Sequence, residues 1–199
     1  MEAVKRALLL SGGVDSICLA YKLRPNLAYT IDYGQTVAER EIYVSKFVCE
    51  KLGINHKVIK VDCRHLGSGT LANSENIDIG PSEEWWPFRN QLLITLASMQ
   101  GIKDGITELY LASVKSDQFH TDGTKEFYKL INNLTSFQEG KIKIKCPTLD
   151  YYSHELVQKY NVPLELISIA HSCHISNYAC GTCSGCMKQL KIRYEIMLE

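Results

Sequence analysis

Short apolar stretches of strand length alternate along this chain with longer segments whose apolar residues recur at helical spacing. Residues 4–10 predict a first strand, closed by Ser11-Gly12-Gly13, and residues 16–23 a helix that stops near Pro25. Residues 27–31 read as a second strand, 37–52 as a long helix ending at Gly53, and 56–61 as a third strand. Residues 62–84 are rich in Gly, Ser, Asn and Asp and predict a long loop, a length more typical of functional lids than of idle connections. Pro87 then opens a helix over 88–100, with proline in its first turn. A strand at 108–113, a helix at 124–134, a short strand with exposed lysines at 141–145 and a helix at 153–160 follow. An apolar run at 164–170 and a helical tail at 184–198 complete the pattern. Alternating strand and helix predict an α/β fold, a parallel sheet with helices on both faces. There is no internal repeat and no low-complexity tract.

Composition narrows the class. With 199 residues, 45% of them apolar and 22% charged, the chain has the make-up of a soluble globular domain. Lys+Arg and Asp+Glu both total 22, so the formal net charge is zero, which argues against a nucleic-acid partner held by a basic surface. No run reaches the roughly 18 to 20 apolar residues of a membrane span. The apolar part of residues 1–10 is too short for a signal peptide, so the expected location is cytoplasmic. Stable disulfides are rare there, and eight cysteines must then mean metal, catalysis or burial.

Ser11-Gly12-Gly13-Val14-Asp15-Ser16 lies between the first strand and the first helix, where open α/β sheets hold phosphates. Two glycines allow a tight turn whose successive N–H groups form an anion nest at a helix N-terminus. Ser11 and Ser16 add hydroxyls, and Asp15 is placed to hold Mg²⁺. The loop is neither a Walker A sequence nor the dinucleotide fingerprint. It resembles the SGGxDS signature of the PP-loop ATP pyrophosphatases, a superfamily with a Rossmann-like (adenine nucleotide alpha hydrolase, HUP) sheet. That resemblance implies ATP cleavage between the α and β phosphates, adenylation of a substrate oxygen, and displacement of AMP by a nucleophile.

Four cysteines fall close together, and Cys180-Gly181-Thr182-Cys183-Ser184-Gly185-Cys186 interlocks two C-x-x-C steps, with Cys173 seven residues ahead. Four thiolates complete a tetrahedral zinc shell and leave no position for water, so such a site is structural. An iron–sulfur cluster takes the same ligand number, a redox pair is a further alternative, and His171 or His174 could replace one cysteine. Lys188, Lys191 and Arg193 follow closely enough to offset the thiolate charge. The chain thus divides into an ATP-binding α/β domain at 1–170 and a zinc-binding segment with the last helix at 171–199. Cys18, Cys49, Cys63 and Cys146 lack metal spacing and read as buried apolar residues, with Cys146 beside Pro147 placed to border the site.

The loop and the cysteine cluster together resemble the QueC (7-cyano-7-deazaguanine synthase) family over nearly the whole chain. Asp32-Tyr33-Gly34-Gln35 is similar to the family's F-D-Y-G-Q, Trp86-Pro87-Phe88-Arg89-Asn90 to its V-P-G-R-N, and Cys146-Pro147-Thr148-Leu149 to its T-P-L. The resemblance implies that ATP and Mg²⁺ activate the carboxylate of 7-carboxy-7-deazaguanine and that ammonia attacks the adenylate. A second ATP then converts the amide to the nitrile, preQ0. It also implies ATP-site roles for Ser11 to Ser16, Asp32, Tyr33, Gln35, Arg89 and Asn90, catalytic roles for Asp15, Arg89, Lys115 and Asp122, and a homodimer. Arg89, at a helix start near the strands' carboxyl ends, offers bidentate recognition of phosphate or carboxylate, which lysine cannot match. Asn90 either serves the ligand or caps the turn, and Lys115 either reaches phosphate or is solvated. Trp85-Trp86 stacks on a purine-like base, closes the lid or staples the following helix.

The sequence also departs from the family. Its Gln-Arg-His is here Gln35-Thr36-Val37, and its D-x-x-x-Y-P-D-C-R is replaced by residues 117–124, where Asp122 still lines up. Its T-K-A-E has become Tyr152-Ser153-His154-Glu155, without the lysine. The ATP half of the site is kept and the acceptor half altered. Two acceptors follow: ammonia in the pathway reaction, or a protein amine, as in QueC-like enzymes of bacterial antiphage systems. A tRNA thiolase would need a basic face and a reactive cysteine outside the metal site. A zinc-stapled, non-catalytic nucleotide-binding module is the alternative of another class.

Overall fold

Leu8 and Leu10 face one side of the first strand and Ala7 and Leu9 the other, so each face of the sheet acquires its own apolar layer. The computed structural model describes residues 4–197. Residues 1–3, part of the expected N-terminal segment, and Leu198, the expected end of the last helix, lie outside the described residues. Five strands, β1 (Arg6–Leu9), β2 (Leu27–Asp32), β3 (Asn55–Lys60), β4 (Glu108–Tyr110) and β5 (Lys143–Lys145), form one sheet in the order β3-β2-β1-β4-β5. Every pairing is parallel, with Ala7 set against Leu27 on one side and Leu109 on the other. The order reverses direction between β1 and β4. A crevice opens at that switch point, outside the strands' carboxyl ends.

On one face, α1 (Val14–Leu23), α2 (Ala38–Leu52), α6 (Ser153–Tyr160), α7 (Leu164–Ser168) and α8 (Ser184–Met197) enclose a core around Leu8, Ile17, Val44, Val48 and Leu156. On the other, α4 (Arg89–Asp104) and α5 (Lys125–Phe137) cover Tyr29, Leu109 and Ile144 with Ile94, Ala97 and Ile131. No helix among the described residues is long and apolar enough to cross a membrane.

Several boundaries differ from the sequence reading. The ladder is shorter than the apolar runs because the chain leaves the sheet to build the crevice. Leu111 N still donates to Lys145 O at 2.8 Å, but the Ser113 carbonyl already accepts from Thr148 Oγ1 at 2.7 Å. Residues 62–84 hold a 3₁₀ turn at Arg64–Leu66 and a short helix, α3 (Gly69–Ala72). A backbone bond from Thr36 N to Leu71 O ties this segment to the turn after β2, and one from Thr70 N to Glu83 O closes it on itself, both at 2.8 Å. Two further 3₁₀ turns, Lys115–Phe119 and Thr121–Gly123, follow β4.

The start of α4 needs a correction as well. Pro87 is not in its first turn: the helix begins at Arg89, after Phe88 takes a left-handed conformation at φ 54°. Phe88 stands where the family pattern has glycine, and 76% of it is exposed. Left-handed backbone costs a residue with a Cβ roughly 1 to 2 kcal/mol, and little apolar burial offsets that here. Phe88→Gly should therefore stabilise the fold by about 0.5 to 1 kcal/mol after the extra entropy of glycine in the unfolded chain. Urea titration of the two proteins would show a higher midpoint for the variant; a lower one would mean that Phe88 packs against something in solution.

Candidate active site

The loop after β1 turns on Gly12 at φ 76°, where an added Cβ would lie 3.0 Å from Val44 Cβ. Only glycine combines that conformation with that approach. Within the loop, Ser16 Oγ donates to Gly13 O at 2.9 Å and lies 3.3 Å from Ser11 Oγ. Gly13 is the N-cap of α1 and offers no side-chain cap, so the first amides of a ten-residue helix remain for an anion. Val14 is buried in the core, which fixes the direction of that turn.

A cavity of about 650 Å³ opens beside the loop. Ser11, Gly13, Val14, Asp15 and Ser16 line it from β1, and Arg89, Asn90, Asp117 and Asp122 line it from across the crevice. Lys188 enters from α8 and Glu41 from α2. Asn90 holds the far wall in place: its N–H donates to Asp122 Oδ2 at 3.2 Å and its Nδ2 to Asp122 O at 2.9 Å. Asn90 and Asp122 therefore position each other as well as facing the cavity.

Burial raises the pKa of Asp15; Lys188 opposes that shift and Asp117 adds to it. Lys188 Nζ lies 3.3 Å from Asp15 Oδ2 and 3.1 Å from Asp117 Oδ1, while Asp15 Oδ1 is buried without a hydrogen-bond partner. Arg89 stands among Tyr33, Asp122, Glu41 and Asp117; burial works against its charge, and these groups outweigh it and raise its pKa.

Glu41 was not legible as a site residue. Burial pushes its carboxyl up to about 7, against the hydrogen bond from Gln35 Nε2 at 2.8 Å and the pull of Arg89. A folded-state pKa above the unfolded one means that this group favours folding only while protonated. The contribution is complete below the unfolded value of 4.5 and is lost as pH rises through about 7. Glu41→Gln should accordingly be more stable than wild type at pH 8 by on the order of 2 kcal/mol, with the gap closing toward pH 4. Denaturant melts at the two pH values measure this. A gap of the same size at both would contradict it.

Other predicted site residues have structural duties. Gln35 is buried; its Oε1 accepts from Tyr33 N at 2.9 Å and its Nε2 donates to Ile31 O at 3.0 Å. Asp32 Oδ1 accepts from Gly34 N at 3.2 Å, organising the turn after β2, and neither residue lines the cavity. Tyr33 does line it, with its ring edge-on to Trp86 at 4.8 Å. Trp86 is 2% exposed and packs against Tyr33 and Gly67, which leaves no free face for a base. Lys115 lies apart from the cavity lining, its ammonium 4.9 Å from the centre of the Tyr152 ring, because the 3₁₀ turn after β4 directs it outward.

The four clustered cysteines converge: the Sγ atoms of Cys173, Cys180, Cys183 and Cys186 all lie within 4.8 Å of one another, so the group can hold a metal ion. Gly185 makes this possible, since a Cβ there would meet Ser172 O at 1.7 Å where the two ligand segments cross. The sulfur shell is complete without the histidines. His171 Nε2 lies 3.0 Å from Ser176 O, and His174 Nδ1 lies 3.3 Å from Ser184 Oγ. The following cations do not neutralise the thiolates as expected. Lys188 turns into the cavity, Lys191 is 3.8 Å from Glu195, and Arg193 donates to Ser168 O at 3.0 Å. Backbone amides take that role instead: Cys183 N and Cys186 N each donate to the preceding ligand sulfur at 3.4 Å. Of the other cysteines, burial raises the thiol pKa of Cys18, of Cys49 to about 12 and of Cys146 to about 11. Cys63 is buried, and Cys146 packs in the core rather than bordering the cavity.

A family described as queuosine biosynthesis protein QueC matches residues 5–195. The chain belongs to the QueC family. Among curated relatives, a 7-cyano-7-deazaguanine synthase of Methanococcus aeolicus is 29% identical, covering 98% of this chain and 97% of its own. That of Nautilia profundicola is 30% identical over 94% of this chain and 92% of its own. Among solved structures, the U34-tRNA thiolase NcsA from Methanococcus maripaludis, which carries a 4Fe–4S cluster, aligns with a TM-score of 0.56 at 17% identity. That alignment covers 98% of this chain and 66% of the thiolase, a likeness of fold. Within the QueC family, this chain keeps the phosphate loop and the four cysteines, and differs at residues 36–37, 117–124 and 153.

Proposed function

We propose that this QueC-family chain makes 7-cyano-7-deazaguanine from 7-carboxy-7-deazaguanine, ammonia and ATP. The carboxylate oxygen attacks the α-phosphorus of ATP and pyrophosphate leaves. Ammonia displaces AMP and, after loss of a proton, gives the amide. The amide oxygen is adenylated by a second ATP, and departure of AMP with the remaining N–H protons leaves the nitrile. The observation that carries this reading is the placement of the Ser11–Ser16 loop, its uncapped helix amides open to a cavity at the β1/β4 switch point.

The charge balance supports Mg²⁺ as a companion of ATP. Asp15, Glu41, Glu84, Asp117 and Asp122 line the cavity against only Arg89 and Lys188, so a bare triphosphate would meet net repulsion. Asp15, on the phosphate loop itself and lining the cavity, is the carboxylate best placed to hold that ion. The loop amides and Arg89 would bear charge developing on the departing pyrophosphate.

The cysteine geometry supports zinc. A Zn–S bond near 2.3 Å gives a tetrahedral edge of about 3.8 Å, and the Cys173–Cys183 and Cys180–Cys186 sulfurs are each 3.9 Å apart. A 4Fe–4S cube binds each thiolate to a different corner iron and would hold the sulfurs further apart. When bound, zinc supplies a structural cross-link between the 173–180 segment and the start of α8.

Incubation with ATP, Mg²⁺, ammonium and 7-carboxy-7-deazaguanine, followed by product mass, tests this reading. The nitrile mass supports it, and unchanged substrate overturns it. A deazaguanine joined to a co-purifying protein would favour the second reading, a protein amine as acceptor, for which the replaced segment 117–124 is the supporting observation.

A further inference from the structure

Lys188 is out of place for a residue two positions beyond a metal ligand. Its side chain leaves the cysteine cluster and crosses into the nucleotide cavity, where Nζ bridges Asp15 Oδ2 at 3.3 Å and Asp117 Oδ1 at 3.1 Å. Opposite it, Ser153 at the start of α6 is 4% exposed. Its hydroxyl faces the Asp15 carboxylate without closing a hydrogen bond of normal geometry. Ser153 occupies the position at which the T-K-A-E pattern carries lysine. A buried serine hydroxyl facing an acid, and an ammonium brought to the same acid from another helix, are complementary observations.

We infer that Lys188 supplies from α8 a cation at the point where Ser153 of α6 faces the same carboxylate, and that it is the positioning residue of the nucleotide site. This rests on the ATP-cleaving reading above. Asp15 and Asp117 face one cavity and would repel both each other and a polyphosphate. An ammonium between them holds both carboxylates and keeps one face toward the phosphates. Because Lys188 follows Cys186 by two residues, the metal site fixes its origin, and this cation ties the cysteine cluster to the phosphate loop.

The test compares wild type with Lys188→Met, Lys188→Arg, and Ser153→Lys combined with Lys188→Met, following pyrophosphate release, KM for ATP, zinc content and thermal midpoint. Lys188→Met should retain zinc and fold while kcat/KM for ATP falls about 100-fold. Adding Ser153→Lys should restore at least about tenfold of that loss, and Lys188→Arg should restore part of it. A folded, zinc-loaded Lys188→Met within about threefold of wild type overturns the inference, as does a double variant no better than the single. Should Lys188→Met fail to fold, amine-reactive labelling of the wild-type protein decides the matter. ATP should protect Lys188 and leave Lys191 reactive, and equal labelling of Lys188 with and without ATP is the contrary result. Wild-type protein that never releases pyrophosphate would instead count against the ATP-cleaving reading, and labelling would still report on Lys188.

Discussion

Cys183→Ser should lose metal and soluble protein together. Cys183 N donates to Cys180 Sγ and Cys183 Sγ receives the Cys186 amide, so the residue sits at the centre of the ligand run. Structural zinc contributes apparent binding energies of about 10 to 16 kcal/mol in small sites, comparable with the roughly 5 to 15 kcal/mol that keeps a whole domain folded. The segment it pins is not peripheral. His171 N donates to Gly12 O at 3.0 Å, so the chain entering the cluster also braces the phosphate loop. Metal analysis and circular dichroism of the purified variant provide the measurement. Cooperative, metal-free unfolding near the wild-type midpoint would refute a structural role.

The second large effect is expected at Asp15. Asp15→Asn should abolish pyrophosphate release, on the order of 100-fold or more, because it removes the carboxylate that meets Lys188 at the cavity wall. The fold should survive. Asparagine has the same shape, and Asp117 still pairs with Lys188 at 3.1 Å, so the substitution leaves that ammonium partnered. The prediction is therefore a dead enzyme with a normal melting curve and a full complement of metal. Turnover within tenfold of wild type would show that Asp15 is only a partner for Lys188.

These effects fall at the two places where sequence and structure agree most closely, and the reason is chemical. A Ser-Gly-Gly-Val-Asp-Ser turn between strand and helix and interlocked C-x-x-C steps are local, so their geometry is nearly complete in a few residues. The remaining wall of the cavity is assembled from elements far apart in the chain. Glu41 belongs to the stripe Glu41-Val44-Ser45-Val48 that α2 turns toward the core, and an acid on an apolar stripe was the available signal. Lys188, three residues after buried Gly185 and four before buried Ile192, carried a similar signal on α8. Proximity to the cysteines drew it to the metal site instead. Lys115 goes the other way: the 3₁₀ turn after β4 is not written in apolar periodicity, and it sets the side chain against Tyr152 outside the cavity lining. Gln35 and Asp32 matched the family pattern, and the structure gives them a turn to hold.

The central claim is that ATP is cut between its α and β phosphates on this loop. Following purified, metal-replete protein by phosphorus NMR with ATP, Mg²⁺, ammonium and 7-carboxy-7-deazaguanine tests it most directly. AMP and pyrophosphate should appear together and only when the carboxylate substrate is present. ADP and inorganic phosphate as the nucleotide products would contradict the account.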